Sequence, residues 1–375
     1  WHEYWGAEES CELAPDTIPW ATLGIDRESP LELPTVDEFR ETSKSFPKAT
    51  ASGDDNFHPR HFYQLSDECI SGLLIIIEMI VLWNLLPRAI MRLIVALLPK
   101  PLGGDRPIGI FPSVIRVFTA WLQPKYIAPW SSGIAARDYF FGEKDKSCEV
   151  CVWLQAMEAE YATAARLSYF SALLDIEKAY ENVRHDVLAQ EARALSLPLK
   201  LLRFALLCYR MVRVIVIRAV ATKSVSTDRT IVAGCSFATD MLRCYIIRIL
   251  DGVKAKLPRT VKLKVVVDDI AVSATGPASA IDGEKAVELV ASRLKKRGKL
   301  KVSSSKTALL ANNLRAIKQV ADINPGLAAS AVDNARNLGA DFSAGKLLRT
   351  AVRRKRLKNT GKRLLRYKTL RRAGA

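Results

Sequence analysis

The chain has 375 residues, 49% hydrophobic and 25% charged, with a formal net charge of +17. That composition excludes intrinsic disorder, and the length admits a sizeable core divided among two or three subdomains. The surplus of cations directs attention to polyanionic partners such as nucleic acid. Its distribution is uneven: residues 1–40 carry ten acids against Arg27 and Arg40, whereas residues 346–375 carry thirteen Lys or Arg and no acid. Seven cysteines at irregular spacings give an odd count without a disulfide framework, as expected of a reducing compartment. Cys148 and Cys151 form one C-x-x-C, but no second pair follows at zinc spacing. No secretory signal is expected at Trp1-His2-Glu3-Tyr4, and the missing initiator Met points to a piece of a longer product. The most apolar stretch, 73–98, is interrupted by Glu78, Asn84, Pro87, Arg88 and Arg92. It therefore reads as buried helices, and the expectation is an intracellular chain, nuclear or cytoplasmic, with no membrane partner.

Residues 1–48 are acidic and punctuated by proline, a loosely ordered lead-in with a helix near 36–46. The turn-rich Gly53-Asp54-Asp55 loop precedes a helix beginning near Arg60, and 73–83 continues as a buried helix. Strands follow at 92–100 and 106–111, joined by a turn at Gly103-Gly104-Asp105. Lys100 and Arg106 sit near its tip, where they either reach phosphates or simply decorate a surface.

A helix over 114–124 comes next, then a connecting loop over 129–146 and a helix over 150–167 with an acidic face from Glu158 and Glu160. The strand over 168–175 ends on Asp175, costly to bury unless solvated, coordinated or used as a helix N-cap. Tyr180, five residues on, suits either the floor of a small-molecule pocket or plain core packing. Helices are expected at 185–195 and 199–211, then a strand pair formed by 212–220 and 229–232. The small-residue turn Ala233-Gly234-Cys235-Ser236 leads into a helix over 237–250, and Gly234 allows backbone to approach a ligand or another strand.

The stretch 262–275 places two β-rich runs around Asp268-Asp269, a hairpin with two carboxylates at its tip. Adjacent like charges repel unless a cation lies between them. Taken alone, the pair reads either as a solvated acidic turn or as oxygen ligands for a hard divalent ion. Asp175 is the natural third carboxylate. Beyond the hairpin, an amphipathic helix over 281–297 stops at Gly298, and 300–310 reads as strand, polar turn, strand.

The order of these blocks resembles the reverse transcriptases of retroelements, particularly the non-LTR type, over roughly residues 50–345. Leu174-Asp175-Ile176-Glu177-Lys178-Ala179-Tyr180-Glu181-Asn182-Val183 is similar to the family's first catalytic-Asp motif, and Val265 to Ala271 to its paired-Asp motif. Leu98-Pro99-Lys100 with Arg106-Pro107-Ile108 resembles the segment that holds the triphosphate. The Gly53-Asp54-Asp55 loop, the 303–307 turn and Leu338-Gly339-Ala340-Asp341-Phe342 match further blocks. Three departures stand out: Ala233 where the family has Gln, Glu181 where Asp is common, and Val266-Val267 before the Asp pair.

The resemblance implies a mixed α/β (α+β) fold, a right-hand polymerase. Its expected parts are the lead-in (1–48), fingers (49–167), a palm of antiparallel sheet and helices (168–310) and a partial helical thumb with a basic tail (311–375). It also implies RNA-directed DNA polymerase activity with two Mg²⁺ ions, Mn²⁺ being able to substitute, held by Asp175, Asp268 and Asp269. Lys100, Arg106, Tyr180 and Lys306 would bind nucleotide, and Lys178, Ala233 and Gly234 would face template and primer. Partners would be an RNA template, a DNA primer or RNA–DNA hybrid, and dNTP. The alternatives are a decayed remnant or maturase-like protein that only binds nucleic acid, and an RNA-dependent RNA polymerase.

Overall fold

The computed structural model describes residues 5–6, 8–100, 104–142, 146–217, 220–345, 354 and 357–358. Gly103 of the expected turn and nearly all of the basic stretch 346–375 lie outside the described residues. The chain forms two compact units, each assembled from two stretches: Trp1–Ala136 with Lys178–Arg248, and Arg137–Glu177 with Ile249–Ala375. In chain order the main elements begin with β1 (Glu8–Glu9), α1 (Val36–Ser45), α2 (Asp67–Trp83), β2 (Arg92–Pro99), β3 (Asp105–Ile110) and α3 (Ser113–Leu122). There follow β4 (Phe140–Phe141), α4 (Cys148–Ala164), β5 (Tyr169–Asp175), α5 (His185–Ala194), α6 (Leu199–Tyr209), β6 (Val212–Ile217), β7 (Val220–Ala221) and β8 (Val225–Ser226). The last are α7 (Ala238–Lys254), β9 (Val261–Val266), β10 (Asp269–Thr275), α8 (Ser279–Gly298), β11 (Ala308–Ala311), α9 (Leu314–Ile323), β12 (Ala335–Asn337) and β13 (Ala340–Phe342).

The first unit is built on a sheet of order β1-β8-β6-β2-β3, with β7 paired to β6. β2 and β3 form the expected antiparallel hairpin, while β2 and β6 run parallel. Near-continuous apolar runs such as Leu93-Ile94-Val95 suit a strand flanked on both edges. The acidic lead-in is fastened to this unit. The carboxylate of Glu28 accepts the N–H groups of Leu199 (2.8 Å) and Lys200 (3.0 Å) at the start of α6, and α1 opens on a Thr35–Glu38 capping box.

The second unit carries a sheet of order β11-β5-β10-β9-β4 and a separate β12-β13 hairpin. Side chains alternate across β5. Tyr169 and Leu173 join a cluster with Ala159 and Ala162 of α4, while Phe170 faces α8, which lies on β5, β9 and β10. A Cβ at Gly283 would fall 2.2 Å from the Phe170 ring, so glycine alone lets α8 sit this close.

Five local readings are corrected. Helix α2 is not buried all round: Ile75, Ile76, Met79, Leu82 and Trp83 are exposed, Trp83 at 62%. Residues 229–232 form no strand with β6, whose neighbours are β2, β7 and β8. In 300–310 only β11 is a strand, and Val302 makes a single bridge to Ile176. Gly298 is the last helical residue of α8, and Lys299 takes the left-handed position beyond it (φ 51°). Glu160 is exposed as read, but Glu158 turns inward to a lysine. Among the described residues no helix is long and apolar enough to cross a membrane.

Candidate active site

Two antiparallel strands set the carboxylates of the second unit. β9 and β10 are joined by the two-residue turn Val267-Asp268, so Asp269 is the first residue of β10 and pairs with Val266. On its other edge β10 pairs with β5, and there Asp269 stands opposite Asp175. Like charges directly across a strand pair repel. Lys306, in the loop before β11, answers this by placing Nζ 2.8 Å from Asp175 Oδ2.

The turn has positive φ at its first position, Val267 (φ 58°), a geometry that favours glycine. A β-branched residue there is strained. Val267 is held by packing: with Leu338 it closes over a small cluster of Phe141, Cys151 and Val266.

Asp269 reaches the surface but is crowded by protein on its other sides. Desolvation first, and then the Asp268 and Asp175 charges, push its carboxyl up to about 6, opposed by Lys306 and Arg336. Among the described residues no group of three or more His, Cys, Asp or Glu forms a ready metal cage. The donor chemistry nevertheless fits a hard divalent ion. The three groups are carboxylates, the charges of Asp268 and Asp175 raise the proton affinity of Asp269, and Lys306 holds a cationic position beside Asp175.

A second tier of polar groups, which the sequence reading missed, anchors this sheet. Glu158 of α4 accepts from Lys264 Nζ (2.6 Å) and Ser273 Oγ (2.9 Å), with Lys262 at 3.2 Å. Gln155 donates to Ser171 Oγ (2.8 Å) and accepts from Asn337 (2.7 Å). At the opposite edge, Arg137 and Tyr139 both bind Asp251, with Tyr139 Oη donating at 2.6 Å, and the Tyr139 carbonyl accepts the Val265 N–H at 2.8 Å. One signal was available in the sequence: Lys264, inside an apolar strand, requires an acidic partner.

In the first unit, Tyr180 Oη lies 3.5 Å from Thr239 Oγ1, and the Tyr180 carbonyl accepts the Ile231 N–H at 2.8 Å. Lys178, two residues before it, has φ 45°, and its carbonyl accepts the Asn182 N–H at 3.1 Å. The close approach that needs Gly234 (φ 112°) is to another strand: a Cβ there would meet the Gly109 carbonyl oxygen at 2.2 Å. Beside it, the Ala233 carbonyl accepts the Gly109 N–H at 2.7 Å. Lys100 and Arg106 are exposed at the turn end of the β2–β3 hairpin. Thus Asp175, Asp268, Asp269 and Lys306 come together in the second unit, while Lys100, Arg106, Lys178, Tyr180, Ala233 and Gly234 belong to the first.

A family model described as reverse transcriptase (RNA-dependent DNA polymerase) matches residues 98–342. The chain belongs to the reverse transcriptase family. Every candidate site residue falls inside that match, and membership carries the right-hand polymerase fold class. Similar solved structures include two of telomerase from Candida tropicalis. The apo form truncated from the C-terminal domain is 12% identical, with a TM-score of 0.46, and the match covers 68% of this chain and 54% of that one. The form with the TWJ fragment of telomeric RNA is also 12% identical, with a TM-score of 0.45 and coverage of 60% and 41%. The match therefore spans about half of those chains or less. No curated protein matches the sequence.

Proposed function

We propose that this reverse transcriptase chain is an RNA-directed DNA polymerase of retroelement origin, adding dNTP to a primer 3′ end along an RNA template. The observation that carries the reading is the register placing Asp175 against Asp269, with Asp268 on the adjoining turn and Lys306 beside them. Fingers, palm and a thumb-like region fall at 49–167, 168–310 and 311–375, and the order of the motifs supports a non-LTR type. A pair of Mg²⁺ ions, when held by Asp175, Asp268 and Asp269, supplies charge stabilisation to the attacking and departing oxygens.

The chain's own residues do the rest. Lys100 and Arg106 neutralise the triphosphate. Tyr180 lies against the sugar and excludes a ribose 2′-OH. Lys306 exchanges its carboxylate partner for a phosphate. Lys178, Ala233 and Gly234 face template and primer. The missing Gln side chain at 233 leaves the backbone role intact, since the Ala233 carbonyl still ties the loop to Gly109. The basic stretch 346–375 adds salt-sensitive affinity for duplex.

Primer extension on an RNA template with Mg²⁺ is the test. The reading expects incorporation of dNTP over NTP, lost in Asp268→Ala; extension retained by that variant overturns the metal assignment. Preference for NTP would identify an RNA polymerase instead. A second reading, nucleic-acid binding without turnover, is favoured by Ala233. It prevails if folded protein binds a template–primer and extends nothing.

A further inference from the structure

Arg213 on β6 is 2% exposed and forms no ion pair with a described carboxylate. Its Nη2 donates to the Tyr209 carbonyl (3.0 Å) and to Thr230 Oγ1, while Nε has no partner. The Trp5 ring covers the guanidinium at 4.8 Å. A buried, unpaired cation is costly and persists where surrounding structure holds it in place. Burial lowers its pKa to about 9, and Glu181 is the acid that acts against this. Arg213 and Glu181 line one cavity of about 20 Å³ together with Trp5, Tyr180, Thr230 and Ala233. That is room for about one water.

Thr230 is the hub of this cluster. It is 1% exposed and β-branched, yet it has φ 92°, a strained conformation. Its N–H donates to the Val183 carbonyl at 2.8 Å, its carbonyl accepts from His185 Nε2 at 2.8 Å, and its hydroxyl accepts from Arg213. The next residue, Ile231, donates to the Tyr180 carbonyl at 2.8 Å. Strain at one residue fastened on three sides, one step from the Tyr180 bond, marks a segment whose position is over-determined. Thr227 Oγ1 donates to the Trp5 carbonyl at 2.6 Å and ties the cover to the same segment.

We propose that Arg213 is a positioning residue for the nucleotide site: gripping Thr230 and facing Glu181, it fixes the turn carrying Tyr180, with Trp5 as its cover. The proposal rests on the reading of Tyr180 as the residue beside the sugar. It gives the acidic lead-in a part in nucleotide selection, through one tryptophan far from Tyr180 in sequence.

The test compares wild type, Arg213→Met, Arg213→Lys, Trp5→Ala and Tyr180→Ala by amide hydrogen exchange and by dTTP incorporation on poly(rA)/oligo(dT). Arg213→Met is expected to lose protection at the amides of Asn182, Thr230 and Ile231. Its KM for dTTP should rise between about tenfold and a hundredfold, with affinity for the template–primer unchanged. Arg213→Lys should recover part of both effects, and Trp5→Ala should fall between. If Arg213→Met does not fold, Arg213→Lys and Trp5→Ala carry the same comparison.

Unchanged exchange at those amides overturns the proposal. So does increased exchange with an unaltered KM where Tyr180→Ala itself raises KM. If Tyr180→Ala changes neither KM nor the dTTP/UTP ratio, the underlying reading of Tyr180 has failed, a result distinct from the loss of Arg213's grip.

Discussion

Asp175 and Asp269 face each other across neighbouring antiparallel strands, and Lys306 contacts the first of them at 2.8 Å. Removing one charge from this pair relieves repulsion without opening a core. Asp269→Asn should therefore raise stability in the absence of divalent ions by a few tenths to about 1 kcal/mol, while lowering primer extension. Urea unfolding in EDTA measures the first effect, and a lower midpoint would contradict it.

Val267 has a conformation that suits glycine (φ 58°). Ordinarily Gly is about 0.5–1 kcal/mol worse than Ala within regular elements. Here the order should invert. Val267→Gly loses side-chain packing but sheds the strain, whereas Val267→Ala loses packing and keeps most of the strain. Denaturation midpoints that rank Ala above Gly would show the turn to be unstrained.

Glu158 and Lys264 form a largely buried pair, their side chains 16% and 6% exposed. Removing the acid strands a buried ammonium, so Glu158→Ala should cost about 3–5 kcal/mol. Adding Lys264→Met should restore much of that loss, because the unpaired charge goes with it. A double variant no more stable than the single one would mean that the charge is relieved elsewhere.

His185 is buried, and its Nε2–H donates to the Thr230 carbonyl, leaving Nδ1 without a partner. Desolvation, aided by Arg213 and Arg210, lowers its pKa to about 4. In the unfolded chain it protonates near 6.5, so unfolding takes up a proton between those values. Its contribution is full above about pH 6.5 and falls by up to about 1.4 kcal/mol per pH unit as acid is added towards 4. His185→Gln should flatten the pH dependence of stability over that window; an unchanged slope would assign the acid sensitivity to other groups.

The Asp pair was legible because its surroundings are local: two β-rich runs around a turn specify a hairpin wherever they occur. Lys306 was legible as part of a polar turn, and Asp175 as a carboxylate at a strand end. What escaped depends on partners distant in sequence. Residues 229–232 have strand composition, but the N–H groups of Thr230 and Ile231 go to the Val183 and Tyr180 carbonyls, and β6 pairs instead with β2. Glu158 looks like part of a solvated helix face until β9 brings Lys264 beneath it. Periodicity also cannot say which side of a largely apolar helix is covered, and α2, expected to be buried, exposes one side. The two interleaved units were beyond reach for the same reason, since each joins stretches separated along the chain.

The approach of Gly234 to Gly109 has a genetic consequence. Each position has no space for a Cβ: at 234 it would strike the Gly109 carbonyl oxygen, and at 109 the Val232 side chain, both at 2.2 Å. An alanine at either site must part β3 from the loop, and once they are parted a second alanine finds the damage already done. The two glycines should therefore behave as one locus, with a double variant little worse than the more harmful single one.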